Sequence, residues 1–136
     1  MSAASDAVGS AADVRIVIAD DEPDVLALLE VQFSLRPGFE VIGLAANGGE
    51  AIEQARRLQP DAVVMDLLMP DVNGFEGIAV LQDEFPHMGV VAYTGVAGTF
   101  VREHMGNRKV EVVLKSGNLT PLADAVQRSV RSAAAR

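Results

Sequence analysis

Five polar side chains close four short apolar runs that lie far apart in the chain. Asp20 and Asp21 follow Val14–Ala19, Asp66 follows Ala62–Met65, Thr94 follows Val90–Tyr93, and Lys115 follows Val110–Leu114. Brought together, they would offer three carboxylates, a hydroxyl and an ammonium. Three crowded carboxylates repel one another and favour a divalent cation with oxygen ligands. A hydroxyl and an ammonium beside that cation suit the oxygens of a phosphoryl group. Phosphoryl transfer depends on in-line positioning and charge neutralisation more than on covalent assistance. A carboxylate that attacked phosphorus would form a mixed anhydride, reactive enough to be transient. The set therefore reads as a magnesium-dependent phosphoryl site.

Each residue alone has a structural explanation. Acids after a strand complement the dipole of the next helix. A lone Asp in an apolar setting caps a turn. A threonine at a strand end is a good β-former, and a lysine there is ordinarily a solvated charge. The weight lies in the joint pattern, because short apolar runs ending in one polar residue are the signature of buried parallel strands. In an open α/β sheet ligands bind beyond the carboxyl ends of such strands. Met69-Pro70 adds to the Asp66 segment, since proline fixes the backbone there and helps to aim the Leu68 carbonyl.

The elements that must deliver these groups follow from periodicity. Strands are expected at Val14–Ala19, Phe39–Ala45, Ala62–Met65, Val90–Tyr93 and Val110–Leu114. A first helix opens at Asp20-Asp21-Glu22-Pro23-Asp24, turns Val25, Leu26, Leu28, Leu29 and Phe33 inward, and stops at Pro37-Gly38. A second runs from Asn47-Gly48-Gly49 to about Leu58 on Ala51, Ile52 and Ala55. The loop of Met69-Pro70-Asp71 and Asn73-Gly74 leads to a third over Phe75 to Phe85 with Ile78 and Leu81 inward. A fourth helix is expected over Gly98–Met105, and a last one is capped by Thr120, with Pro121 as its first residue and Leu122, Ala125, Val126 and Val130 inward. Five strands alternating with five helices predict a doubly wound α/β fold with one parallel sheet.

Composition narrows the classes. The 136 residues suit one domain, and 49% are hydrophobic. Residues 1–12 lack periodicity and read as a flexible leader to a domain over 13–133. No cysteine is available for disulfides or thiolate chemistry. A net charge of -8 disfavours direct binding to nucleic acid. No apolar stretch nears the roughly 20 residues a membrane span needs, and no secretory signal opens the chain, so a cytoplasmic location is expected. His87 and His104 lack metal-ligand spacing, and there is no glycine-rich nucleotide loop of the Walker type.

Taken together, Val17-Ile18-Ala19-Asp20-Asp21-Glu22-Pro23, Val64-Met65-Asp66-Leu67-Leu68-Met69-Pro70-Asp71-Val72-Asn73-Gly74, Val91-Ala92-Tyr93-Thr94-Gly95 and Val113-Leu114-Lys115 resemble a response-regulator receiver domain of bacterial two-component signalling. The resemblance runs from about residue 13 to 132, and its opening half is closest to receivers of the NarL/FixJ kind, here without a following helix-turn-helix segment. It implies a flavodoxin-like sheet of order 2-1-3-4-5 with helices on both faces. It implies Asp66 as phosphoacceptor, and magnesium held by Asp21, Asp66 and the main-chain carbonyl of Leu68, with Asp20 acting largely through ligated water. Thr94 would bond a phosphoryl oxygen, and Lys115 would pair with Asp66 or its phosphoryl group. A sensor histidine kinase or phosphotransfer protein is the implied donor. A downstream protein partner would meet the fourth helix, fifth strand and last helix, roughly residues 98–133, and a homodimer is a further expectation. Arg102, His104, Arg108 and Lys109 give this side a basic tint.

Three departures from the receiver pattern matter. Val112 stands where an aromatic residue normally reorients, leaving Tyr93 or Phe100 as substitutes, although core packing is the expected role of both. Ser116 replaces the usual proline after the lysine, so a trans Lys115-Ser116 bond is expected, a cis one costing about 2.5–4 kcal/mol without proline. Leu68 and Val96, two residues after Asp66 and Thr94, cannot orient an attacking water, which predicts a long-lived phosphoryl group. The alternatives are a phosphate-independent interaction module whose switch decayed at Val112, or a receiver fragment of a longer transcriptional regulator. A magnesium phosphohydrolase is disfavoured, because its nucleophile is expected after the first strand and no lid is evident. The expected chemistry is self-phosphorylation and self-dephosphorylation, without enzymatic turnover of other substrates.

Overall fold

The structure is a computed structural model that describes residues 13–69, 73–96, 98–106 and 108–136. The expected leader over 1–12, and Pro70, Asp71, Val72, Ala97 and Asn107, lie outside the described residues. The elements are β1 (Val14–Ala19), α1 (Pro23–Ser34), β2 (Phe39–Ala45), α2 (Gly48–Leu58), β3 (Ala62–Met65), α3 (Gly74–Glu84), β4 (Gly89–Thr94), α4 (Gly98–Met105), β5 (Glu111–Leu114) and α5 (Leu119–Ala134). All strand pairs are parallel, in the order β2-β1-β3-β4-β5. This is the expected doubly wound, flavodoxin-like sheet.

The unbroken apolar strands are explained by burial on both faces. In β1, Ile16 and Ile18 face one core while Val17 and Ala19 face the other. The first core is filled by Leu29 and Phe33 of α1 and by Leu122, Ala125 and Val126 of α5. The second takes Ala51, Ile52 and Ala55 of α2, Ile78 and Leu81 of α3, and Val101 and Met105 of α4. Each of the larger aliphatic side chains contributes about 1.5–3 kcal/mol by leaving water.

Local signals set the helix starts. Pro23 begins α1, whose cap Glu22 makes no side-chain capping bond. Asn47 caps α2 by accepting from the Glu50 amide at 2.8 Å, while Glu50 Oε1 accepts from the Ala46 amide at 2.9 Å. Asn73 caps α3 in the same way through the Glu76 amide. Two expectations need correction. Leu28 is 53% exposed, because it lies outside the narrow stripe that Leu29 and Phe33 bury. The cap of α5 is Asn118 rather than Thr120, its side chain accepting from the Thr120 amide at 3.1 Å. Asx caps and threonine compete for the same role, and here the chain turned two residues earlier. No cis peptide bond occurs among the described residues, Lys115-Ser116 included. Among the described residues no helix is long and apolar enough to cross a membrane.

Candidate phosphoryl and metal site

Strand register builds the site. Ala19 of β1 pairs with Met65 of β3, so the next residues, Asp20 and Asp66, leave the sheet side by side. Thr94 pairs with Leu114, so Lys115 emerges one step beyond. Backbone bonds extend the ladder past the strand ends. The Asp20 amide donates to the Ala45 carbonyl at 3.0 Å, Asp66 to Ala19 at 2.9 Å, and Lys115 to Thr94 at 2.9 Å.

These anchors bring the charges together. Lys115 Nζ donates to Asp20 Oδ2 at 2.8 Å and to Asp66 Oδ2 at 3.3 Å. The remaining carboxylate oxygens accept from the following turns: Asp20 Oδ1 from the Glu22 amide at 2.9 Å, and Asp66 Oδ1 from the Leu68 amide at 3.3 Å. Asp20 and Asp66 are buried, at 1% and 6% exposure, whereas Asp21 faces solvent. One carboxylate oxygen from each of Asp20, Asp21 and Asp66 lies within 4.8 Å of the others. Against the single Lys115 ammonium, the three carboxylates leave two negative charges uncompensated. That is the charge of a divalent cation, and an all-oxygen donor set with water access suits magnesium.

Thr94 is only partly assembled with this group. It is fully buried, but its Oγ1 accepts from the Val96 amide at 3.3 Å. No hydrogen bond joins it to the acids among the described residues. The Leu68 side chain is 57% exposed, while its backbone turns back onto Asp66. Tyr93 packs in the core as expected. Phe100 does not: it is 41% exposed and stacks on His104 with centroids 4.0 Å apart. Phe75 completes the group, 5.1 Å from His104. Phe100 lies on the outer side of α4, whose inward positions are taken by Val101 and Met105.

Gly74, expected only as a loop residue, supports the site. Its amide donates to the Leu67 carbonyl at 3.1 Å. A Cβ there would overlap the Asp66 carbonyl oxygen and Leu67 Cα. The glycine thus lets α3 begin directly against the backbone of the Asp66 segment. The signal for it in the sequence is a glycine immediately after the capping asparagine, Asn73.

Burial, and then the Asp20 charge, raise the Asp66 carboxyl above the ordinary carboxylate range, with Lys115 opposing. Burial works against the charged Lys115 ammonium, but the bonds to Asp20 and the charges of Asp66 and Asp20 outweigh it and hold the ammonium above its usual value. For Asp66 the folded form binds its proton more tightly than the unfolded form. The ionised group therefore costs stability at neutral pH, and the cost disappears as pH falls through the raised value towards the ordinary one. Without divalent cations, Asp66→Asn is expected to raise the urea midpoint at pH 7 and to lose this advantage near pH 4. Equal midpoints at pH 7 would contradict the assignment.

The family model described as the response regulator receiver domain matches residues 16–127. A protein-glutamate methylesterase/protein-glutamine glutaminase from Anaeromyxobacter dehalogenans is 45% identical over 73 residues, covering 54% of this chain and 21% of its own. The response regulator protein VraR of Staphylococcus aureus is 29% identical over 123 residues, covering 87% of this chain and 57% of its own. The chain therefore spans little more than half the length of the latter and about a fifth of the former. Among solved structures, a LuxR-family two-component response regulator from an Aurantimonas species superposes with a TM-score of 0.80 at 27% identity, over 88% of this chain and 86% of that one.

Proposed function

The chain belongs to the response regulator receiver domain family, and from that premise we propose that it is a phosphoryl-accepting switch, charged on Asp66 by a histidine kinase or a phosphotransfer protein. The observation that carries this is the Lys115 ammonium bridging two buried carboxylates beside a third. In the proposed step an Asp66 carboxylate oxygen attacks the phosphorus of a phosphohistidine. The new bond joins that oxygen to phosphorus, the phosphorus–nitrogen bond breaks, and its electron pair stays on the imidazole. Lys115 passes from the Asp66 carboxylate to a phosphoryl oxygen and keeps its bond to Asp20. Thr94 exchanges the Val96 amide for a second phosphoryl oxygen, and the Leu68 backbone fixes the Asp66 rotamer. Asp20, Asp21, Asp66 and the Leu68 carbonyl would hold magnesium, which when bound neutralises charge on the transferring oxygens.

The phosphoryl group shifts the domain between two states only through its differential contacts with them. The responding surface is proposed over α4, β5 and α5, where a downstream protein or a second copy would bind. The proposed chemistry is confined to the domain's own phosphorylation and dephosphorylation, in a cytoplasmic setting.

Intact mass after exposure to acetyl phosphate and magnesium tests the proposal. Wild type should gain one phosphoryl group and Asp66→Asn none. After the donor is removed, the exposed Leu68 and half-buried Val96 side chains predict a decay over many minutes, and decay within seconds would refute that lifetime. The second reading, a phosphate-independent module, is favoured by Val112 and by the Thr94 hydroxyl already engaged with Val96. A wild type that gains no mass would establish it.

A further inference from the structure

We infer that the cleft between the end of α4 and the entry to β5 is a docking site for an acidic protein segment carrying an aliphatic side chain. The cleft holds about 360 Å³ and is lined by Arg102, Met105, Gly106, Arg108, Lys109 and Val110. Met105 is buried and, with half-buried Val110, makes an aliphatic floor. Gly106, at φ +64°, turns the chain, and the Arg108 amide closes the turn onto the Met105 carbonyl at 3.2 Å. Gln82 holds the backbone at Lys109 by donating to its carbonyl at 2.8 Å.

Charge identifies the occupant. Arg108 is already engaged, its guanidinium paired with both Asp83 oxygens at 3.0 and 2.9 Å. Arg102 and Lys109 have no carboxylate within 4.0 Å among the described residues. Two uncompensated cations thus flank an aliphatic floor on a protein of net charge -8. Arg102 belongs to the last turn of α4 by position, but its guanidinium reaches back against Gly98 in the first turn, where its charge does not serve the helix dipole. Lys109 lies beyond the helix and gains nothing from that role.

The shape favours an extended segment over a small anion. A second cleft of about 380 Å³ shares Lys109 and Val110 and carries Arg136 on its far side; its one acid, Glu111, is already paired with Arg128 at 3.1 Å. A chain crossing both clefts meets three cations, whereas an anion confined to the first meets two. A nucleic acid fits less well. Neither cleft lining contains an aromatic ring to stack a base, and the net charge opposes a polyanion at long range. A short acidic segment feels mainly the local field, because repulsion from distant charges is screened over roughly 8 Å at physiological salt.

The inference rests on the proposed switch only in expecting a partner on this side of the molecule. The probe is a fluorescein-labelled peptide of two leucines among aspartates and glutamates, followed by anisotropy with the whole chain. A lysine-for-acid version and a labelled oligothymidylate are the comparators. The acidic peptide should bind in preference to both and weaken as salt rises. Arg102→Glu with Lys109→Glu should weaken it at least about tenfold, and Arg102→Gln with Lys109→Gln, which removes the charges without reversing them, by less. Backbone amide shifts should centre on Met105 and Val110. Binding unchanged by charge reversal, preference for the oligonucleotide or the lysine peptide, or no acidic-peptide binding at millimolar concentration would overturn the inference. Mass gain from acetyl phosphate is measured on the same preparations. It is independent of Arg102 and Lys109, so failure of docking and failure of phosphorylation are read separately.

Discussion

Replacing Lys115 with alanine should destabilise the magnesium-free domain by about 3 kcal/mol. The ammonium bonds to both Asp20 and Asp66, and those carboxylates are almost wholly buried. Removing it leaves two buried negative charges facing each other without a counter-charge, and such orphaned partners cost about 3–5 kcal/mol. The Lys115 side chain is 24% exposed, so water enters the vacated space and keeps the cost at the lower end. Against a total stability of about 5–15 kcal/mol for a domain, the loss is large. Magnesium should recover much of it, because the ion supplies the missing positive charge. Ligand at one hundred times its dissociation constant adds about 2.7 kcal/mol, and the variant should gain more from it than wild type does. Urea unfolding with and without magnesium provides the check. Lys115→Met, which retains the stem and loses only the charge, should behave like the alanine variant. A magnesium-free variant as stable as wild type would mean that the bridge carries no weight.

Gly74→Ala is expected to be the most damaging single-methyl change near the site. The added Cβ would overlap backbone atoms of Asp66 and Leu67, which cannot rotate away as a side chain can. The Asp66 amide is held by Ala19, so relief must come from moving α3 or the end of β3. Overpacking of this kind costs about 1–3 kcal/mol or more. Any displacement of Asp66 also disturbs in-line attack, where an error of about 1 Å can cost a hundredfold in rate. Gly77→Ala is the internal control three residues along the same helix. Its nearest neighbour would be the unbranched end of the Met65 side chain, with Cε at 3.1 Å, and the nearest backbone atom, Gly48 Cα, would be in ordinary contact at 3.9 Å, while alanine improves helix propensity by up to about 1 kcal/mol. Gly77→Ala should therefore be close to neutral in both stability and acetyl phosphate reaction, while Gly74→Ala loses both. Two equal variants would show that the close approach at Gly74 is not limiting.

Much of the architecture was readable because the strands are buried on both faces. A run such as Val63-Val64-Met65 has no polar alternation to obscure its ends, so the first residue past each run was exposed as a site candidate. The elements bounded by Asn47, Asn73 and Pro23 were equally plain, since each signal acts within one turn of its helix. The failures concern what only packing decides. Leu28 and Phe100 fit the apolar pattern of their helices, but the helix faces that reach the sheet are narrower than the pattern. Gly74 read as an ordinary turn residue, because its neighbour at the close approach, Asp66, stands eight positions back and meets it only after the loop has folded. The pairing of Lys115 with Asp20 was likewise hidden. The resemblance placed the ammonium on Asp66, whereas the shorter bond is to Asp20.

The bond from Lys115 to Asp20 closes a span of 95 residues, and that to Asp66 one of 49. The first requires every crossover between β1 and β5, and the second those between β3 and β5. Entropy lost in closing such long spans precedes any reward, which makes parallel sheets of this kind slow to form relative to helical bundles of equal size. The ammonium bridge between the two buried carboxylates is consequently a late acquisition on the folding route. A polypeptide with its fifth strand unmade lacks the ammonium, so under the proposed switch an unfinished chain would be poorly equipped to hold a phosphoryl group on Asp66.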